Sequence, residues 1–205
     1  KSTGVDPVPP PCNRRNFTNR GGIWGFDSRR YLSAFHYGEF SVHTMDAETN
    51  EAVFWVQDAA RLPFWVNASP LRSILHWRLA KAGMQLVHAA VIGTEEGAVV
   101  IPGRGGSGKS TTALLGLRHG LRYVSDDYAA IRLDPEPRAY SLYSTAKLEL
   151  DSIDRFPEFA NHGDVKRSAG YEKAVAFLHP RFADRIARSL PIRAIALPRI
   201  DGRER

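Results

Sequence analysis

The stretch Ala98-Val99-Val100-Ile101-Pro102-Gly103-Arg104-Gly105-Gly106-Ser107-Gly108-Lys109-Ser110-Thr111 decides how the chain is read. Its apolar start, Ala98 to Ile101, reads as a buried strand, and Ser110 to His119 reads as a helix stopped by Gly120. Between them lies Gly-x-x-x-x-Gly-Lys-Ser, a motif that needs a strand before it and a helix after it. Glycine lets main-chain N–H groups turn inward and approach an anion closely. The helix start adds unpaired N–H groups and a favourable dipole. The loop therefore predicts a cradle for ATP or another nucleoside triphosphate, built from Gly103, Gly105, Gly106, Ser107, Gly108, Lys109, Ser110 and Thr111. Lys109 is expected on the β- and γ-phosphates and Ser110 Oγ on Mg2+.

Downstream, Leu121 to Ser125 reads as a short strand running into Asp126-Asp127. Two carboxylates beside a triphosphate can divide the work, one holding Mg2+ and the other taking a proton from an attacking hydroxyl. An isolated Asp pair is as readily a turn or a helix cap; the neighbouring cradle favours the chemical role. Upstream, Met84 to Ile92 reads as a strand carrying His88, with a turn at Thr94 to Gly97.

With these residues in view, Leu86 to Asp127 resembles the catalytic domain of HPr kinase/phosphorylase, the bacterial family that phosphorylates a serine of the phosphocarrier protein HPr. The landmarks are His88 in Val87-His88-Ala89-Ala90-Val91, the glycine loop, and Val124-Ser125-Asp126-Asp127. The resemblance implies a fold similar to phosphoenolpyruvate carboxykinase, an α/β architecture with a mixed β-sheet flanked by helices. It also implies that Asp126 is the general base, that Asp127 and Ser110 hold Mg2+, and that His88 stands near the γ-phosphate. The family's acidic-Ile-Arg-Gly signature is absent. Leu142-Tyr143-Ser144-Thr145-Ala146-Lys147-Leu148-Glu149 stands in its place, where Lys147 could add positive charge and Glu149 an outer carboxylate, or both could be exposed strand residues. A reverse, phosphate-dependent reaction is therefore not assumed. Phe64-Trp65, Trp77 and His88-Ala89-Ala90 resemble the shorter HPr-kinase-like proteins, some of which phosphorylate a serine of peptide precursors, including lasso peptides.

The rest of the chain divides into three parts. Residues 1–22 read as an extended proline-rich tail around Val8-Pro9-Pro10-Pro11. Residues 23–83 read as a small strand-rich part, with strands at Tyr37 to His43 and Ala52 to Gln57, a hairpin loop at Asp46 to Glu51, and a helix over Pro70 to Ala82 ended by Gly83. Residues 84–205 read as the kinase domain, truncated or with loops missing. Within it, strands are expected at Ala129 to Leu133, Ala174 to Leu178 and Ile192 to Leu197, an extended stretch at Ala139 to Leu150, loop at 151–170, and a short helix at Arg181 to Ser189. Lys173 reads as a surface lysine and Trp24, Trp55, Trp65 and Trp77 as core. Tyr128, Tyr140 and Tyr143 are open as base-stacking aromatics.

Composition narrows the function classes. Across 205 residues, 43% hydrophobic and 24% charged, the chain has an ordinary globular make-up. Its net charge of +6 is scattered in pairs such as Arg14-Arg15 and Arg29-Arg30, without an aromatic-laced stripe, so nucleic acid is not favoured. Cys12 is the single cysteine, which excludes a disulfide framework and a cysteine zinc site and fits a reducing cytoplasm. No apolar run approaches the ~18 residues of a membrane span. The expected acceptor is a peptide or protein serine, with free serine or another small hydroxylated metabolite as the alternative and a non-catalytic nucleotide-binding regulator behind both. A homo-oligomer is left open.

Overall fold

The computed structural model describes residue 18 and residues 21–23, 28–160, 165–167 and 173–198. Most of the proline-rich tail, Cys12 and Trp24 lie outside the described residues. The chain divides into two compact units, Lys1–Ala82 and Gly83–Arg205.

The first unit is an antiparallel meander of β1 (Tyr31–His36), β2 (Ser41–Asp46) and β3 (Glu51–Val56), followed by α1 (Phe64–Ala68) and α2 (Arg72–Lys81). The expected strand Tyr37 to His43 is wrong in place: a turn at 37–40 interrupts it. Phe40 adopts φ 46° there, and Tyr37 and Phe40 set their rings edge-on to Phe35, at centroid distances of 5.5 and 5.3 Å. The β-rich, partly alternating pattern read as a strand, whereas its aromatic residues pack a turn. β2 alternates in burial, so Ser41, His43 and Met45 face inward. Trp55, Trp65 and Trp77 are half-buried rather than core.

In the second unit β4 (Gln85–Thr94) turns back into β5 (Gly97–Pro102). After α3 (Lys109–Arg118), β6 (Arg122–Ser125) and β7 (Tyr128–Arg132) run antiparallel to β4 as two halves of one line. β8 (Arg138–Ser141) and β12 (Ser189–Ile195) complete six strands in the order β5-β12-β8-β7-β4-β6, and β5 pairs with β4 again, so the sheet curls back on itself. It is mixed, because β12 runs parallel to β5. A smaller antiparallel sheet orders β10 (Val165–Arg167), β11 (Lys173–Phe177) and β9 (Thr145–Glu149).

Strand periodicity sorts apolar residues into two cores. Ala89 and Val91 of β4 and Ala98 and Val100 of β5 join Val124, Ala129 and Leu190 in one cluster. Their neighbours Ala90, Ile92 and Ile101 join Leu114 and Leu117 of α3 and Leu148, Ala174 and Ala176 of the small sheet in the other. Because both faces of β4 are covered, Ala89 to Ile92 reads as an unbroken apolar run. α3 packs on β4, β6 and β9. Gly116 permits this: a Cβ there would meet Ile92 Cδ1 at 2.7 Å. The expected mixed sheet is present, but the expected flanking helices are few: among the described residues of this unit α3 is the one α-helix longer than a single turn, and the three-stranded sheet packs where a second helical layer is expected.

Two further expectations fail. The 151–170 loop contains a 3₁₀ segment (Leu150–Arg155), α4 (Pro157–Ala160) and β10, with Phe156 fully buried. The expected helix Arg181 to Ser189 is a turn over 181–185 that leads into β12 at Ser189. Its main chain is captured by Tyr123, which donates to Arg185 O at 2.9 Å and accepts from Ala187 N at 2.8 Å.

Candidate functional site

The loop between β5 and α3 is shaped by glycine. Gly106 and Gly108 take φ of 77° and 82°, conformations that side-chain-bearing residues resist. A Cβ on Gly103 would sit 2.6 Å from Ser107 Oγ. Lys109, the first residue of α3, folds back over the loop and donates from Nζ to Gly103 O and Arg104 O, each at 2.8 Å. It is 6% exposed, and that burial lowers its pKa against the opposing pull of Asp127 and Asp126.

Asp126 and Asp127 sit between β6 and β7, beside a register shift between Val91 and Ile92 of β4. Ser125 Oγ donates to Ala89 O at 2.9 Å and Ala89 N to Asp127 O at 3.0 Å, so the kink's polar groups are partnered. The kink turns the two carboxylates to different partners. Asp126 is 3% exposed. It accepts from Lys147 N at 2.7 Å; the Ser110 hydroxyl beside it works to lower its pKa, and the Tyr123 hydroxyl, whose one proton goes to Thr145 O at 2.7 Å, lies 3.3 Å away. Burial raises its pKa to about 6 despite the Lys147 N–H, and the adjacent Asp127 charge adds to the rise. Asp127 lies 2.8 Å from His88 Nε2 through Oδ1 and 2.5 Å from Lys147 Nζ through Oδ2. Burial works to raise its pKa, but the His88 bond and the Lys147 charge outweigh burial and lower it to about 2. His88 comes from the exposed first half of β4, its ring 5.2 Å from that of Tyr128.

These residues share one cleft of about 250 Å³, lined by His88, 105–111, Asp126, Asp127 and 147–149 with Lys173. Of the expected site residues, Gly105, Gly106, Ser107, Gly108, Lys109, Ser110, Thr111, His88, Asp126 and Asp127 all line it, while Gly103 sits at the base of the loop behind Lys109. Lys147 and Glu149, open in the sequence, both belong to it. Lys173, read as surface, also lines it and pairs with Glu149 at 2.6 Å. Tyr123 was missed altogether: it is fully buried, donates to Thr145 O at 2.7 Å and ties β9 to the Asp126 carboxylate. Its one sequence signal is a tyrosine beside Val124 in a four-residue strand.

The donor set fits a hydrated divalent cation: a hydroxyl and two consecutive carboxylates, Ser110, Asp126 and Asp127, lining one cleft. Among the described residues no group of three His, Cys, Asp or Glu forms a closed metal cluster. A triphosphate site does not need one, because phosphate oxygens complete the coordination.

No known family model matches the chain, and no curated protein matches it. Among solved structures, the Hpr(Ser) kinase/phosphatase from Coxiella burnetii aligns with a TM-score of 0.38 and 16% identity, over 55% of this chain and 64% of that one. The chain thus spans less than two thirds of that structure's length, and a likeness this distant carries no argument about chemistry. Among the described residues no helix is long and apolar enough to cross a membrane.

Proposed function

We propose that the protein is a Mg-ATP-dependent kinase of the phosphoenolpyruvate carboxykinase and HPr kinase type that phosphorylates a serine hydroxyl of a peptide or protein. The observation that carries this is the convergence of Lys109 and Ser110, at the start of α3, with Asp126, Asp127 and His88 in one cleft. The resemblance of Leu86 to Asp127 to the HPr kinase family supports it. The glycine loop and Lys109 hold the phosphates. Bound Mg2+ offsets charge on the phosphate oxygens.

The geometry favours reversing the division of labour expected for the two aspartates. Asp126 lies beside Ser110, whose hydroxyl works to lower its pKa, and in this reading these two residues would hold the ion. Asp127, with a side chain 15% exposed, is open to an acceptor and is oriented by His88. The acceptor oxygen bonds to the γ-phosphorus as the bond to the β-phosphate oxygen breaks, the electron pair leaves with the diphosphate, and the hydroxyl proton passes to Asp127. A loose transition state releases that proton late, so a weakly basic carboxylate suffices.

The test is incubation with Mg-ATP and candidate peptides, read by mass spectrometry. Phosphate on a peptide serine supports the reading. Phosphate only on free serine or a small metabolite moves the acceptor class. Tight binding without any transfer leaves a nucleotide-binding regulator.

A further inference from the structure

Lys147 is a second, half-buried cation of the cleft, and the phosphate cradle does not account for it. It stands on β9, where Ala146 and Leu148 turn into the core and the odd-numbered residues Thr145, Lys147 and Glu149 face the other way. Its side chain is 18% exposed. The residue has two separate grips on the acidic pair: its main-chain N–H on Asp126 at 2.7 Å and its ammonium on Asp127 at 2.5 Å. The first grip belongs to the backbone of a paired strand and stays whatever the side chain does. The second belongs to the tip of a flexible four-carbon stem and can move.

Resting on the kinase reading, we propose that Lys147 exchanges partners with the nucleotide state: its ammonium holds Asp127 in the free protein and moves to the terminal phosphoryl group when a triphosphate enters. A γ-phosphoryl group carries more negative charge than one carboxylate and draws the ammonium away. Lys109, at the start of α3, serves any diphosphate or triphosphate, whereas Lys147 responds to the third phosphate alone. The exchange leaves Asp127 with His88, so the proton acceptor is released only when a transferable group is present.

The experiment compares the affinity of the whole chain for Mg-ADP and for the non-hydrolysable Mg-AMP-PNP by calorimetry. Lys147→Met is expected to weaken AMP-PNP about tenfold, the loss of one charge-assisted bond to phosphate, with ADP unchanged. Lys147→Arg should keep the preference, and Lys109→Met should weaken both ligands. In the wild-type protein, acylation of the Lys147 amine, read by mass spectrometry, should be slowed more by AMP-PNP than by ADP; this holds the test open if Lys147→Met does not fold. Equal weakening of both nucleotides, or equal protection by both, would mean that Lys147 only positions the aspartates, and the inference would fall while the kinase reading stood. A wild-type chain that binds neither nucleotide would overturn both.

Discussion

Asp126 and Asp127 are neighbours in the chain yet sit in opposite electrostatic states, one raised to about 6 by burial and the other lowered to about 2 by His88 and Lys147. The bend between β6 and β7 is enough to cause this, because it turns the two carboxylates to different partners. The assigned roles make the two amides behave differently. Asp127→Asn is expected to slow phosphoryl transfer by roughly 10²–10⁴-fold, the usual span for a lost general base, with nucleotide affinity retained. Asp126→Asn, like Ser110→Ala, should instead remove the Mg2+ dependence of nucleotide binding, measured by titration with and without the ion. If the two variants trade phenotypes, the sequence-based assignment of Asp126 as base is the better one. The motif itself was legible because its chemistry is contiguous. Lys147 and Lys173 were not, because a lysine on a short strand looks the same whether its face meets water or a cleft.

At the scale of elements, α3 serves both core and site. Leu114 and Leu117 anchor it, each about 1% exposed, and burial of one such side chain is worth roughly 1.5–3 kcal/mol. Leu114→Ala should cost about 2–5 kcal/mol in a denaturant titration. Gly116→Val should cost about 1–3 kcal/mol by overpacking against Ile92, and should lower nucleotide affinity as well if α3 shifts. In the first unit, the β1–β2 hairpin carries a pH signal. His43 is 3% exposed; burial, with His36 and Arg72 adding to it, lowers its pKa from 6.5 to about 4. His36, 4.7 Å away ring to ring, shifts the same way, chiefly through burial. The unfolded chain therefore binds a proton near pH 6.5 that the folded unit refuses until about pH 4. This contribution is complete above pH 6.5 and is lost as pH falls toward 4, by up to about 3 kcal/mol for His43. Urea midpoints measured across that range should fall with acidity, and His43→Gln should flatten the slope. The misplaced strand and the absent Arg181 to Ser189 helix share one cause: local pattern was overruled, by a left-handed turn at Phe40 and by the main chain of Tyr123.

For the whole molecule, the cleft is assembled from pieces far apart in sequence: β4 supplies His88, the β5–α3 loop the cradle, the β6–β7 kink the acids, and β9 and β11 the lysines. A ligand that bridges these pieces should stabilise the Gly83–Arg205 unit as one body. Mg-AMP-PNP at 100 times its dissociation constant is expected to add about 2.7 kcal/mol. Hydrogen exchange should slow in α3, in the β6–β7 kink and in β9 together; slowing confined to the glycine loop would mean that the nucleotide does not reach the far wall. The sequence alone determined the glycine loop, the acidic pair and the strand–loop–helix that joins them. Glycine at positive φ, a helix start and a lysine beside it are local requirements, written within about a dozen residues. Only the tertiary structure decided the rest: that Asp127 pairs with His88 and Lys147, that Tyr123 packs against Asp126, and that Lys147, Glu149 and Lys173 line the cleft. Those outcomes depend on which face of β9 and β11 the core claims. That choice follows from packing against α3, and no local pattern in a five-residue strand encodes it.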